Sequence, residues 1–303
     1  MARSASLSGI VPDRQTEPIR FGTDGWRARI AEGWTLAAVR RCTAGIASYL
    51  HQIGRESSPV VLGFDGRFLS DRFAREVAVH LAAERFVPVL SPAAIPTPAL
   101  SWRVASAGAS LGIMITASHN PPEYNGVKLK GPDGGTLDPE ETQRIARLIP
   151  AHDPGSVEPE ELAHHPSFLI PYLKSIKERV AWKEIRSSGL KVMHDAMHGM
   201  GGTLLDQALR GGRTSVVSLR STPDPLFGGA APEPIVANLS LLLREVRKHK
   251  GHVGFATDGD ADRLGACDEK GRFVSPLTLL PVLAQHLIEV KGMRGGVART
   301  FAS

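Results

Sequence analysis

Apolar residues along this chain recur at two spacings, and the switching between them predicts most of its elements. In TLAAVRRCTAGIASYLHQIG, Leu36, Val39, Thr43, Ile46, Leu50 and Ile53 fall three or four apart. That spacing gives a helix one apolar face, and Gly54 ends it. The β-branched run PVVLGFD then reads as a buried strand ending at Asp65. A helix is expected from about Leu69 to Glu84, where Phe73, Val77 and Leu81 lie four apart. FVPVLS and SLGIMIT read as strands, with a short helix from Thr97 to Ala107 between them, and Tyr124 to Lys130 as a returning strand.

The polar, proline-containing stretch from Ala151 to Pro166 reads as a linker, after which the alternation resumes. LKVMHDAM, TSVVSL and HVGFATD are strand-like, GMGGTLLDQALR is a glycine turn into a helix, and LSLLLREVRKHK is a helix. PDPLFGGAAPEPIVANL reads as a long loop, and LGACDEKGRFV as a hairpin turning at Glu269 to Gly271. A helix around Leu277 to Glu289 leads into GGVARTFAS, which reads as a new strand. Strands alternating with helices belong to the α/β class, and the shared rhythm of the two halves suggests a tandem pair of similar domains.

Composition narrows the partners. With 303 residues, 42% of them hydrophobic, the chain has room for about two globular domains. Its net charge of +5 favours anionic ligands, but no run of five basic residues marks a nucleic-acid binder. Cys42 and Cys267 lie far apart and match no metal spacing, so reduced thiols in a cytoplasmic protein are expected. The first 17 residues lack a signal-peptide core and read as a disordered lead. FVSPLTLLPVLAQHLIEV is broken by Pro276, Pro281, Gln285, His286 and Glu289, so no membrane span is expected.

Two loops follow strands, and ligands of open α/β sheets sit at the carboxyl ends of strands. In ITASHNPPEYNGVKLK, Ser118 leaves the strand just before Pro121 and Pro122 stiffen the turn. A stiff, exposed serine suits a nucleophile or phosphate carrier if a proton acceptor and positive charge stand nearby. His119 and Lys128 are the candidates; a serine that merely caps a surface turn is the plainer reading of Ser-His-Asn alone, but the returning strand from Tyr124 to Lys130 carries Lys128 back beside the turn and weakens it. To act as a base, Lys128 needs a lowered pKa, which a nearby divalent cation and Arg263 would give. The second loop is DGDADR, Asp258 to Arg263. Three carboxylates in one tight turn repel unless a cation separates them, and oxygen-only ligands select Mg²⁺ or Ca²⁺. An EF-hand is the rival, with Glu269 at position twelve, but Arg263 stands where that loop needs glycine and the preceding segment is a strand. A serine able to carry phosphate, a lysine and an Mg²⁺ site form a coherent set for phosphoryl transfer.

RFGTDGWR, TASHNPPEYNGVKLK and DGDADR, in this order, resemble the α-D-phosphohexomutase superfamily, specifically bacterial phosphoglucomutase/phosphomannomutase. The resemblance runs from about Ile19 to the last residue. It implies tandem three-layer α/β/α domains with mixed, mainly parallel sheets. Ser118 would be the phosphoserine, and Asp258, Asp260 and Asp262 would bind Mg²⁺ with a phosphoserine oxygen. Lys128 would be the general acid/base. Arg27 and Arg263 would stabilise the phosphoryl group, with His119 and Asn120 shaping the loop. The substrates would be hexose phosphates, exchanged through a hexose 1,6-bisphosphate. Phosphoglucosamine mutase is the alternative within the family, and Trp26 and Thr116 lean away from it.

The family has four domains. No sugar-binding GEESG-like loop and no Arg-Ser-Gly-Thr phosphate loop occurs here. The expected division is a lead over 1–17, domain I over 18–152, domain II over 153–272, and the start of a third domain over 273–303. The last helix and strand are then expected to expose apolar surface for want of packing partners. Turnover by this span alone is expected to be weak, since positioning contacts to the sugar are missing and any separate C-terminal half is unknown. A silent sugar-phosphate or partner-binding module and a metal-dependent phosphatase are the readings from other classes.

Overall fold

A computed structural model describes residues 18–158 and 161–297; the expected lead over 1–17 and most of the closing strand lie outside the described residues. In the first half the order is β1 (Trp26–Arg29), α1 (Leu36–Gln52), β2 (Pro59–Phe64), α2 (Ser70–Ala83), β3 (Val87–Leu90), α3 (Thr97–Ala107), β4 (Leu111–Ile115), β5 (Tyr124–Lys130) and α4 (Pro139–Leu148). The second half continues with α5 (Leu169–Arg179), α6 (Trp182–Ser187), β6 (Lys191–Asp195), α7 (Leu204–Leu209), β7 (Ser215–Leu219), α8 (Ser240–His249), β8 (Val253–Thr257), β9 (Leu264–Cys267), β10 (Phe273–Val274) and α9 (Pro276–Gln285).

Local chemistry sets the helix ends. The Thr35 hydroxyl accepts the Ala38 N–H at the start of α1, and Gly54 follows its end in a left-handed conformation. Gly108 closes α3 in the same way. α4 was absent from the periodicity reading although its signals are plain: Asp138 accepts the Glu140 N–H and Pro139 opens the first turn. Also unforeseen were α5, α6 and β1. The strand β1 begins on the last two residues of the RFGTDGWR motif and, at four residues, is too short to show a period. It pairs antiparallel with β5, placing Arg27 opposite Gly126. The turn before it needs Gly25, whose φ is +104° and where a Cβ would sit 2.0 Å from the Val127 carbonyl oxygen.

Each half is a mixed five-stranded sheet with helices on both faces. The orders are β1-β5-β4-β2-β3 and β10-β9-β8-β6-β7. Within them β2 pairs parallel to β3 and β4, and β6 to β7 and β8, while β5 and β9 return antiparallel. The two sheets share one strand layout, β4–β5 corresponding to β8–β9, although the edge strand comes first along the chain in one half (β1) and last in the other (β10). In the first sheet Val60 and Leu62 pack with α1, α2 and α4, whereas Val61 faces α3 and Phe168. In the second, Met193 and Ala256 pack on Leu242 and Val246 of α8.

After β10 the chain leaves both cores. Ser275 caps α9, Pro281 sits inside it, and a wider turn over His286–Val290 extends it. Leu277, Val282, Leu283 and Val290 are all exposed. Among the described residues no helix is long and apolar enough to cross a membrane.

Candidate active site

The serine loop and the acidic loop occupy equivalent places in the two sheets, after β4 and after β8, and they meet. The serine loop is built from within. Ser118 has φ +53° and donates its N–H to Thr116 Oγ1 at 2.8 Å. The Thr116 hydroxyl donates to Asp65 Oδ2 at 2.6 Å. Arg67, two residues beyond Asp65, donates to the main-chain oxygens of Ser118 (2.7 Å), Asn120 (2.6 Å), Pro121 (2.9 Å) and Tyr124 (3.0 Å). One guanidinium therefore holds the whole turn that the two prolines stiffen.

In the acidic loop Asp258 Oδ1 accepts the N–H groups of Asp262 and Arg263, both at 3.1 Å, and Ala261 turns left-handed. Asp258, Asp260 and Asp262 each bring one oxygen within 4.8 Å of the others. Asp258 and Asp260 are buried, and Asp262 stands at the rim. Asp260 is gripped from the first half, where the Thr97 hydroxyl donates to its Oδ2 at 2.6 Å and the Thr97 N–H to its carbonyl at 2.9 Å. Close approach of the loops requires Gly259, where a Cβ would lie 2.5 Å from the Ser118 carbonyl oxygen.

Across this contact the Ser118 hydroxyl donates to Asp258 Oδ2 at 2.9 Å. The sequence suggested an exposed serine; the structure buries it completely, because the acidic loop docks on the turn that presents it. Lys128 is brought to the same point. Its Nζ lies 2.5 Å from Asp262, 2.8 Å from Asp260 and 3.0 Å from Asp24. Burial by itself would lower its pKa, but the carboxylates of Asp260, Asp262 and Asp24 together outweigh burial and raise it. Among these three acids the ammonium form is the one held, whereas the lowered pKa expected from the sequence is tied to a divalent cation and Arg263. Arg263 stands further out, with its Nε 4.0 Å from Asp262 and its side chain half exposed.

The acids divide by environment. Burial first, then the charges of Asp260 and Asp262, push Asp258 up to about 8. Burial also acts upward on Asp260, yet Lys128 beside it brings the carboxyl below its usual range. Asp260 Oδ1 is buried with no hydrogen-bond partner. A spare buried carboxylate oxygen beside two more carboxylates and a hydroxyl fits a hard divalent cation.

The remaining expected residues ring this centre. Arg27 donates to Asn120 Oδ1 at 2.8 Å. Arg20, Arg27 and Arg263 line a cavity of about 400 Å³ with Gly22, Thr23, Asp24 and Gly25. His119 Nδ1 is 3.5 Å from Ser118 Oγ, and its Nε2 is 3.9 Å from Glu233. Burial, then Arg263, lowers its pKa. Arg20, Asp24, Asp65, Arg67, Thr97 and Glu233 were not anticipated. A signal existed for Asp65 and Arg67, which stand in GFDGR at the carboxyl end of β2, and for Thr97, which opens a helix between two prolines.

Fold and site define a tandem α/β/α protein that sets a serine hydroxyl against an oxygen-only acidic cluster. Residues 18–155 match phosphoglucomutase/phosphomannomutase alpha/beta/alpha domain I, and residues 170–271 match domain II of the same family. The chain belongs to the α-D-phosphohexomutase superfamily. It is 34% identical over 276 residues to a protein of Methanothermobacter thermautotrophicus provisionally named phosphoglucosamine mutase, covering 90% of this chain and 60% of that one. It is 32% identical over 282 residues to a phosphoglucomutase/phosphomannomutase of Thermococcus kodakarensis, covering 92% and 61%. A crystal structure from Thermus thermophilus, provisionally called a phosphomannomutase, superposes with TM-score 0.85 at 37% identity, covering 92% of this chain and 63% of that one. The chain thus spans about 60% of the length of these curated relatives.

Proposed function

We propose that this chain supplies the phosphoryl-transfer centre of a phosphohexomutase, which interconverts hexose 1-phosphate and hexose 6-phosphate through a hexose 1,6-bisphosphate. The observation that carries the reading is the 2.9 Å contact of Ser118 Oγ with Asp258 Oδ2, between residues 140 positions apart. Ser118 is the phosphoryl carrier. When bisphosphate loads it, an Oγ–P bond forms and a sugar O–P bond breaks. The serine proton leaves along its hydrogen bond to Asp258, and the Lys128 ammonium protonates the released sugar oxygen. In the opposite direction the Lys128 amine takes the sugar hydroxyl proton and Ser118 recovers its own. Lys128 is thus acid and base in alternate half-reactions, which its ammonium form permits. Arg27 and Arg263, with His119 and Asn120, hold the phosphoryl oxygens beside the 400 Å³ cavity. Asp258, Asp260, Asp262 and a Ser118 oxygen would hold Mg²⁺, whose charge offsets that of the phosphoryl group.

In this reading residues 18–152 and 153–272 are domains I and II, and 273–303 begin a third. The enzyme works in the cytoplasm, and contacts to the sugar and the distal phosphate come from polypeptide beyond domains I and II. Isolated, this span turns over slowly while still loading its serine. The test is intact-mass analysis and phosphopeptide mapping after incubation with glucose 1,6-bisphosphate and Mg²⁺. One phosphoryl group on Ser118, absent from Ser118→Ala and from chelated samples, is expected. Binding of the bisphosphate without labelling would replace this reading with a silent sugar-phosphate module.

A further inference from the structure

The loop between β7 and α8 belongs to the second half, yet it reaches the anchor of the serine loop. Asp224 shapes it, accepting the N–H groups of Leu226 at 2.9 Å and Gly228 at 3.0 Å. Phe227 sits between them with φ +51°, a left-handed conformation that a bulky side chain adopts only where its surroundings impose it. Its ring is 3% exposed and lies 4.7 Å from the guanidinium carbon of Arg67. That guanidinium makes the four main-chain bonds that hold the serine turn, and its side chain is completely buried. The other edge of the ring faces the acidic loop, for Phe227 Cε1 would be 3.4 Å from a Cβ at Gly259. Pro232 of the same loop stands 3.0 Å from that point.

From this placement we infer that Phe227 is a positioning residue, a wedge that sets the serine turn and the acidic turn at working distance. Having no polar group, its ring can neither transfer a proton nor ligate a cation. It bears on Arg67 from one side and on the backbone beside Asp258 and Asp260 from the other. A cation against an aromatic face is held in orientation as well as in place. The side chains on both turns stay present if the ring is removed; only their mutual spacing relaxes. A misplacement of about 1 Å at a reacting centre can cost roughly a hundredfold in rate.

The inference rests on the phosphoryl-transfer reading, so the test carries one readout that needs no chemistry. Phe227→Ala and Phe227→Tyr are compared with the unsubstituted chain for the rate of Ser118 labelling by glucose 1,6-bisphosphate and Mg²⁺. Mn²⁺ affinity and hydrogen exchange over residues 116–124 are measured alongside. Phe227→Ala is expected to label about a hundredfold more slowly, with Mn²⁺ affinity within about threefold of the parent, and Phe227→Tyr to restore the rate. Exchange in the serine turn is expected to quicken in Phe227→Ala and to return to the parent value in Phe227→Tyr. Unchanged labelling with unchanged exchange in a folded Phe227→Ala would overturn the inference. So would a loss of labelling matched by an equal loss of Mn²⁺ affinity. If the unsubstituted chain does not label, the functional reading fails, and exchange over 116–124 still decides the role of the wedge.

Discussion

Removing the Lys128 charge tests the electrostatics of the centre directly. Lys128→Met keeps an unbranched side chain of similar length and deletes one ammonium. That ammonium is 1% exposed and lies within 3.0 Å of Asp24, Asp260 and Asp262. Truncating one partner of a buried ion pair leaves uncompensated charge and costs about 3–5 kcal/mol. For a unit of this size each kcal/mol moves the melting point by roughly 2–4 °C, so a drop of about 10 °C is expected. The assay is thermal unfolding at pH 8 with a chelator, well above the lowered range of the Asp260 carboxyl. Excess Mg²⁺ should then return part of the loss, since a ligand at a hundred times its Kd stabilises by about 2.7 kcal/mol. The gain should be larger in Lys128→Met than in the parent, whose ammonium competes for the same carboxylates. A variant that melts with the parent in chelator would refute the picture of Lys128 as the neutralising charge.

Two further outcomes follow from the same geometry. Thr97→Val removes the 2.6 Å bond to Asp260 Oδ2 but keeps the backbone bond to its carbonyl. Divalent-ion affinity should fall about 10- to 100-fold by equilibrium dialysis, and Thr97→Ser should retain it; equal affinities in the two variants would contradict this. His194 is buried in β6, and burial, opposed by Asp195, holds its pKa below the ordinary value of 6.5. The unfolded chain then binds the proton more readily, so stability is complete above about pH 6.5 and declines as the pH falls toward the folded pKa. Melting points taken from pH 8 to pH 5 should show that decline in the parent and a shallower one in His194→Leu; parallel slopes would dismiss it.

Much of this was legible along the chain. The helix over Thr97–Ala107 and the strand over Tyr124–Lys130 have the bounds their patterns suggest, because apolar spacing and turn residues act over a few positions. The family was legible too, since three motifs carry it. What escaped was either too short to show a period, as with β1, or carried by end signals rather than apolar spacing, as with α4. Arg67 escaped for a different reason. Nothing near it in sequence shows that its partners are carbonyls 51 to 57 positions away.

From the sequence alone came the two α/β halves, the residue types of the centre and the family, all of which depend on neighbours within a few positions. Tertiary structure alone decided that Ser118 is buried, that Lys128 is held charged by three acids, that Thr97 grips Asp260, and that Phe227 bridges the two turns. Burial and electrostatic pairing depend on distances through space. Those distances arise only when two separately folded sheets bring their equivalent loops face to face.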